Sequence, residues 1–360
     1  MGVLAPTAAG QGRLSRMAKP ALNIALQGGG SHGAFAWGIL DGLLEEDRFD
    51  IAAITATSAG AMNAVVCADG LRTGGKDGAR AALKRFWEKI STARGPFSPV
   101  SLNAIRKAFD PFGLFKAASF QWFDALTNVA SPYEFNPWNF NPLRDTLQDV
   151  VDFEGLINQP PFKLFIAATN VKSGRAKVFR SHEVSADVTL ASACLPYLFQ
   201  AVDVNGEAYW DGGYMANPAL WPLFYEAGLP DDVLLCALNP QTLDTVPKTS
   251  AAIMDRLNEI TFNASLIAEL RAIAFVQRLL EDEEMGDKLK DRYRAVKVHA
   301  IKADDALKGL GAASKFNTDW DFLVGLRDQG RAAWQAWSDQ CGHAVGQHST
   351  VDLTKDFLDR

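Results

Sequence analysis

ALNIALQGGGSHGAFAWGILDGLLEE, residues 21–46, carries two elements and the turn between them. Ala21 to Gln27 is a short apolar run ending at three glycines, which reads as a buried strand entering a tight turn. Gly33 to Glu46 then sets Phe35, Ile39 and Leu43 on one face, the spacing of a helix. The pattern repeats at once in DIAAITATSAGAMNAVVCA, residues 50–68. Asp50 to Thr57 reads as a second buried strand, Ser58 stands at its end, and the small-residue run from Ala59 reads as a tightly packed helix. Strand, turn and helix twice in succession is the start of a parallel α/β sheet.

Outward from that core, Leu71 to Ala81 is rich in glycine and charge and is expected to be a surface loop, with helical pattern resuming over Ala82 to Ile90. Phe97 to Phe140 is crowded with aromatics and broken by prolines. The runs FKLFIAATN (162–170) and RAKVFR (175–180), joined through Lys172-Ser173-Gly174, form a predicted hairpin. A second, turning at Asn205-Gly206, spans Val202 to Trp210 and runs into Asp211. Asp232 to Leu238 and Tyr293 to Ile301 read as further strands, Ser250 to Leu280 as a long amphipathic helix, and Trp320 to Gln340 as a final helix carrying Trp334 and Trp337. The expected architecture is a three-layer α/β domain over residues 21–245, its central, mostly parallel sheet flanked by helices. A disordered leader (1–20) precedes it, and a mainly helical C-terminal extension (246–360), packed on the core, follows.

The chain has 360 residues and a net charge of −6, with no Lys/Arg cluster, which argues against nucleic acid as a partner. Its four cysteines (Cys67, Cys194, Cys236, Cys341) form no CxxC pair, so neither zinc spacing nor a disulfide framework is present, and a reducing, cytoplasmic compartment is expected. The first twenty residues lack the apolar core of a signal peptide, and no apolar run reaches the ~18 residues of a spanning helix. No metal site or cofactor is expected.

Three separated pieces carry chemistry. In Gly28-Gly29-Gly30-Ser31-His32-Gly33, consecutive glycines let backbone N–H groups point into one concavity, and the following helix aims its positive end at the same spot. Such a loop can hold a phosphate or an acyl-transfer oxyanion. In Ala56-Thr57-Ser58-Ala59-Gly60, a serine flanked by small residues between strand and helix matches a nucleophile elbow, where crowding demands small neighbours. Asp211-Gly212-Gly213 places a carboxylate at a strand end, where it can accept the Ser58 proton while the glycines permit close approach. Each piece alone is a common turn signal. Together, each at a predicted strand end, they mark the ligand crevice of a parallel sheet.

These pieces, as QGGGSHGAFAWGIL, ATSAGAMNA and WDGGYMANP with ASACLPYLF between the last two, resemble the bacterial branch of the patatin-like phospholipase family over roughly Leu22 to Pro218. The resemblance implies the three-layer patatin fold and hydrolysis of lipid acyl esters by a Ser–Asp dyad. It makes Ser58 the nucleophile and Asp211 the base, within Gly212 and Gly213. It makes the turn Gly28, Gly29, Gly30, Ser31 and Gly33 the oxyanion loop, with donors around Gly29 and Gly30. Two positions depart from the family's pattern: Ala56 replaces the first glycine of GxSxG, and His32 stands where many members carry arginine.

Other readings stay open on the residues. A dinucleotide-binding oxidoreductase would use the same glycine turn, but its second strand should end in an acid that holds the ribose, and here it ends in Thr57-Ser58. A non-catalytic lipid-binding relative is a second alternative. A Ser–Asp–His triad would draw on His299 or His343. The aromatic stretch, with Trp122 and Phe123, reads as core or as a lipid-facing lid making peripheral membrane contact. No chemistry is assigned to the C-terminal region.

Overall fold

The computed structural model describes residues 19–93, 131–282, 287–289 and 292–358. Strand β1 (Ala21–Leu26), helix α1 (Gly33–Glu46) and strand β2 (Asp50–Ala56) fall where the periodicity places them, and helix α2 (Ala59–Thr92) begins where expected. Strands β3 (Lys163–Asn170) and β4 (Ala176–Arg180) form the first hairpin, and β5 (Val202–Val204) and β6 (Glu207–Asp211) the second. Asn205 and Gly206 both hold positive φ, as a two-residue hairpin turn with the strands' own twist requires. Strand β7 (Asp232–Ala237), helix α3 (Ser250–Glu281), strand β8 (Lys297–Lys302) and helix α4 (Trp320–Cys341) complete the main elements.

One eight-stranded sheet joins them, in the hydrogen-bonded order β5-β6-β3-β2-β1-β7-β8 with β4 also on β3. The β1–β2, β2–β3, β1–β7 and β7–β8 pairs are parallel, and the hairpin strands are antiparallel. Successive side chains of a strand face opposite sides, so the central strands feed two cores. Leu22, Ile24 and Leu26 of β1 join α1, α2 and α4 on one face, whereas Ala25 joins Leu266 and Leu270 of α3 on the other. With both faces covered, these strands read as unbroken apolar runs rather than as alternation. The result is the three-layer architecture.

Two features differ from expectation or exceed it. Residues 71–81 are helical, not a loop: α2 runs through them and breaks only at Gly74 and Gly75, which leave helical φ/ψ. The glycines that suggested a loop serve a close contact, since a methyl group on Gly78 would lie 2.6 Å from the Gly70 carbonyl oxygen. The C-terminal region also contributes a strand, β8, paired with β7. Helix α4 crosses α1 at Gly38 and Gly330, where a methyl on Gly38 would lie 2.0 Å from the Arg327 carbonyl oxygen. The leader and most of the aromatic stretch, including Trp122 and Phe123, lie outside the described residues. No described helix is long and apolar enough to cross a membrane.

Candidate active site

Strand β3 acts as a common rail for the two sequence-predicted site residues. Its Ile166 pairs with both Ala56 of β2 and Phe179 of β4, and its Ala168 pairs with both Asp211 of β6 and Lys177 of β4. Strands β2 and β6 therefore share the edge opposite β4, end to end. Asp211 closes β6 just beyond the point where β2 gives way to Thr57-Ser58. Pairing register alone brings residues 153 positions apart in sequence to one strand end.

Ser58 holds φ 55° and ψ −124°. A β-carbon there is strained, and such strain persists only where the surroundings over-determine it. Here they do. Thr57 donates its N–H to the Leu26 carbonyl and its hydroxyl to Ala216 O (2.7 Å). A methyl on Gly60 would lie 2.5 Å from Leu26 O, and Ala59 faces Gly33 so closely that a methyl there would lie 2.7 Å from the Ala59 Cβ. Small residues at 59 and 60 are thus set by contact with β1 and its turn. The Ser58 hydroxyl stands at the N-terminus of α2, where the helix dipole favours negative charge.

The ASAC segment, quoted above only for its resemblance, ties the two residues together. Ser58 donates its N–H to Ser192 Oγ (2.9 Å), and Asp211 donates its N–H to Cys194 O (2.8 Å). Ser192→Ala would strand the Ser58 amide in the interior, at about 1–3 kcal/mol. A drop in melting temperature together with reduced activity is expected, measured by thermal denaturation and ester turnover.

Asp211 is 1% exposed. Its Oδ1 accepts the Gly213 N–H (2.7 Å), and its Oδ2 has no hydrogen-bond partner. Burial pushes the carboxyl up to about 7, against the opposing pulls of the Gly213 amide, the Ser58 hydroxyl and Lys315. Gly212 and Gly213 are demanded by packing: methyls there would lie 2.2 Å from Ala167 O and 2.1 Å from the Phe262 ring on α3.

The glycine turn lies against the elbow. A methyl on Gly28 would lie 2.6 Å from the Ser58 Cβ. The Gly28 N–H donates to Asn217 Oδ1 (2.7 Å), and the Gly33 N–H to the Gly30 and Ser31 carbonyls. These two glycines line the turn without offering an amide, which differs from a reading of the whole loop as donors. No hydrogen bond among the described residues uses the Gly29 or Gly30 N–H. Ser31 is buried within the short 3-10 turn that opens α1. Gln27 Oε1 accepts the Leu238 and Asn239 amides, and Asn239 Nδ2 holds Gly28 O (2.9 Å), so the turn is braced from β7. Asn217, Asn239 and Ser192 carried no signal in the sequence beyond nearness to a motif, because their partners lie 134 to 211 positions away.

Segment 311–317 covers the other side of the turn. Ser314 Oγ donates to Gly311 O and meets His32 Nε2 at 2.6 Å, which assigns the imidazole proton to Nε2. Burial, with Lys315 nearby, drives His32 down to about 3. The imidazole is therefore neutral and brings no charge to the turn. Lys315 lies beside it: its backbone carbonyl would meet a methyl on Gly30 at 2.4 Å, and burial lowers its pKa while Glu259, Asp255 and Asp211 favour its charged form.

His299 lies elsewhere, on β8, fully buried between Thr350 Oγ1 (3.1 Å) and Asp232 Oδ1 (3.1 Å). Asp232 begins β7, at the opposite end of the sheet from the glycine turn, and His343 is exposed after α4. Neither joins Ser58. Burial pushes the Cys194 thiol up to about 12, so it stays protonated. Among the described residues no group of three or more His, Cys, Asp or Glu could hold a metal ion.

A family model described as patatin-like phospholipase matches residues 24–224. Among solved structures, the chain is similar to VipD from Legionella pneumophila, at 14% identity over 94% of this chain and 72% of that one, with a TM-score of 0.35. It is also similar to a structure of full-length ExoU with SpcU from the type III secretion system of Pseudomonas aeruginosa, at 16% identity over 94% and 77%, with a TM-score of 0.27. No curated protein matches.

Proposed function

Because the chain belongs to the patatin-like phospholipase family, we propose that it is a serine acyl hydrolase cleaving fatty-acyl esters of lipids through an acyl-enzyme on Ser58. The observation that carries this reading is the strained Ser58 elbow beside a buried aspartate with an open Oδ2 and a turn with two uncommitted amides. A dinucleotide reading accounts for the turn alone and leaves the elbow and the carboxylate without work.

In this mechanism Asp211 Oδ2 takes the hydroxyl proton as Ser58 Oγ attacks the ester carbonyl. The Gly29 and Gly30 amides hold the developing oxyanion, helped by the N-termini of α1 and α2. The tetrahedral intermediate collapses, Asp211 returns its proton to the departing alcohol, and an acyl-serine remains. Water, deprotonated by the same carboxylate, then releases the fatty acid. One base serving both half-reactions is best poised near the working pH, and burial brings Asp211 there.

Two measurements follow. A fluorophosphonate probe should label the purified protein on the peptide containing Ser58, since only an activated serine reacts; labelling elsewhere, or none, counts against the reading. The base works deprotonated, so kcat/KM should be level above pH 7 and fall about tenfold per pH unit below it. A profile flat from pH 5 to 8 would exclude Asp211 as the base. The proposal carries a cytoplasmic setting and peripheral contact with lipid surfaces, testable by fractionation and liposome sedimentation.

A further inference from the structure

Lys315 and Ser58 flank the same three glycines: Ser58 bars a side chain at Gly28, and the Lys315 backbone bars one at Gly30. The Lys315 ammonium donates to Asn239 Oδ1 (3.0 Å), and Asn239 donates in turn to Gly28 O. From the cation to the nucleophile the path is one side-chain amide and one glycine.

That cation is poorly matched to its surroundings. Its hydrogen-bond partner is a neutral amide, and among the described residues no carboxylate lies within 4 Å of its Nζ. Burial lowers its pKa, while Glu259, Asp255 and Asp211, each beyond pairing distance, favour its charged form. His32, the other basic group of the turn, is neutral. An ammonium withdrawn from water without a paired anion is costly, and the cost is relieved when an anion arrives.

We propose that Lys315 receives the phosphate of a glycerophospholipid while Ser58 attacks one of its acyl esters, making this residue of the C-terminal region the determinant of phospholipid over neutral lipid. In a glycerophospholipid the phosphate is separated from its esters only by the glycerol backbone. A phosphate-reading cation must therefore stand near the nucleophile, and Lys315 is linked to it through Asn239 and Gly28. A bound phosphate would take the donors that Asn239 does not use and keep Lys315 charged. The inference rests on the Ser58 hydrolase reading and adds the residue that reads the headgroup phosphate.

The test compares dioleoylphosphatidylglycerol with dioleoylglycerol in the same detergent micelles, so that acyl chains and interface are shared. In Lys315→Met the ratio of phospholipid to diacylglycerol turnover should fall roughly ten- to a hundredfold, the worth of a charge-assisted contact. Lys315→Arg should restore most of it. Both substrates falling together, with the ratio unmoved, would overturn the proposal and leave Lys315 to the oxyanion or to folding; an unchanged phospholipid rate would also overturn it. Inorganic phosphate in the diacylglycerol assay separates a free-ion site: inhibition by it that Lys315→Met abolishes, with the ratio unmoved, would assign the ammonium to free phosphate instead. If wild type cleaves neither lipid, the hydrolase reading fails by itself. Phosphate recognition is then read from micelle binding of Ser58→Ala against Ser58→Ala/Lys315→Met, where equal affinity for phosphatidylglycerol would refute it.

Discussion

Ser58→Ala is expected to lower turnover of a lipid ester by on the order of 10⁵–10⁶, and Asp211→Asn by on the order of 10⁴. The first removes the atom that forms the acyl-enzyme. The second keeps the shape of the side chain but removes the carboxylate, and neither buried histidine can replace it: His32 is held to Ser314 with its basicity suppressed by burial, and His299 is bound to Asp232 and Thr350. The two effects should not multiply: the double variant should be about as slow as Ser58→Ala alone, because without the hydroxyl the base has no proton to take. Substantial turnover in either purified single variant would end the dyad interpretation.

The same aspartate makes an opposite prediction for stability. Its folded pKa of about 7 lies above the ordinary carboxylate value, so the folded state binds the proton more tightly than the unfolded one. Between those values stability falls as pH rises, because the carboxylate must be carried into the interior charged and with one oxygen unpartnered. Asparagine stands in for the protonated form. At pH 8, Asp211→Asn should therefore melt at a higher temperature than the wild type, with the difference shrinking toward pH 5. An active-site residue that weakens the fold while carrying function is a common trade.

The fold was readable because its signals are local. Both strand–turn–helix units reveal themselves through periodicity and through glycines at the turns, and Asn205-Gly206 marks its hairpin through a conformation few other residues adopt. What misled was glycine used for contact: Gly70 and Gly78 let the two halves of α2 approach, and in sequence that looks like a loop. In the site, Ser58, Asp211 and the turn were legible because each sits at a strand end with a small-residue signature. The braces were not. Ser192 and Asn217 are ordinary polar residues whose partners lie far away in sequence, and Lys315, in a segment with no motif, reaches the turn only because β8, paired parallel to β7, delivers the chain to the same end of the sheet.

The glycine turn offers a graded test, because its members are confined to different degrees. At Gly28 a methyl would sit 2.6 Å from the Ser58 Cβ and 3.1 Å from Thr57 O. Neither can yield without moving the elbow, so Gly28→Ala should displace the nucleophile itself. Gly30 combines φ +58° with a methyl position 2.4 Å from Lys315 O, so alanine there pays twice, in backbone strain and in the position of segment 311–317. Loss of one oxyanion donor costs on the order of 10²–10³ in turnover, and both substitutions should reach that range. Gly29 differs. Its φ of 179° is open to any residue, and its nearest neighbours, Leu238 and His32, would meet a methyl at 3.4–3.5 Å, ordinary contact distances. Gly29→Ala keeps its N–H and should stay within about tenfold of wild type. A larger side chain such as leucine has no comparable room and should fall with the other two. The order Gly29→Ala far above Gly28→Ala and Gly30→Ala, measured as kcat/KM on one ester with folding checked by circular dichroism, follows from steric contact at each position. Equal losses at all three would mean that the turn tolerates no β-carbon for a reason other than these contacts, and full activity in Gly30→Ala would remove that amide from the oxyanion's neighbourhood.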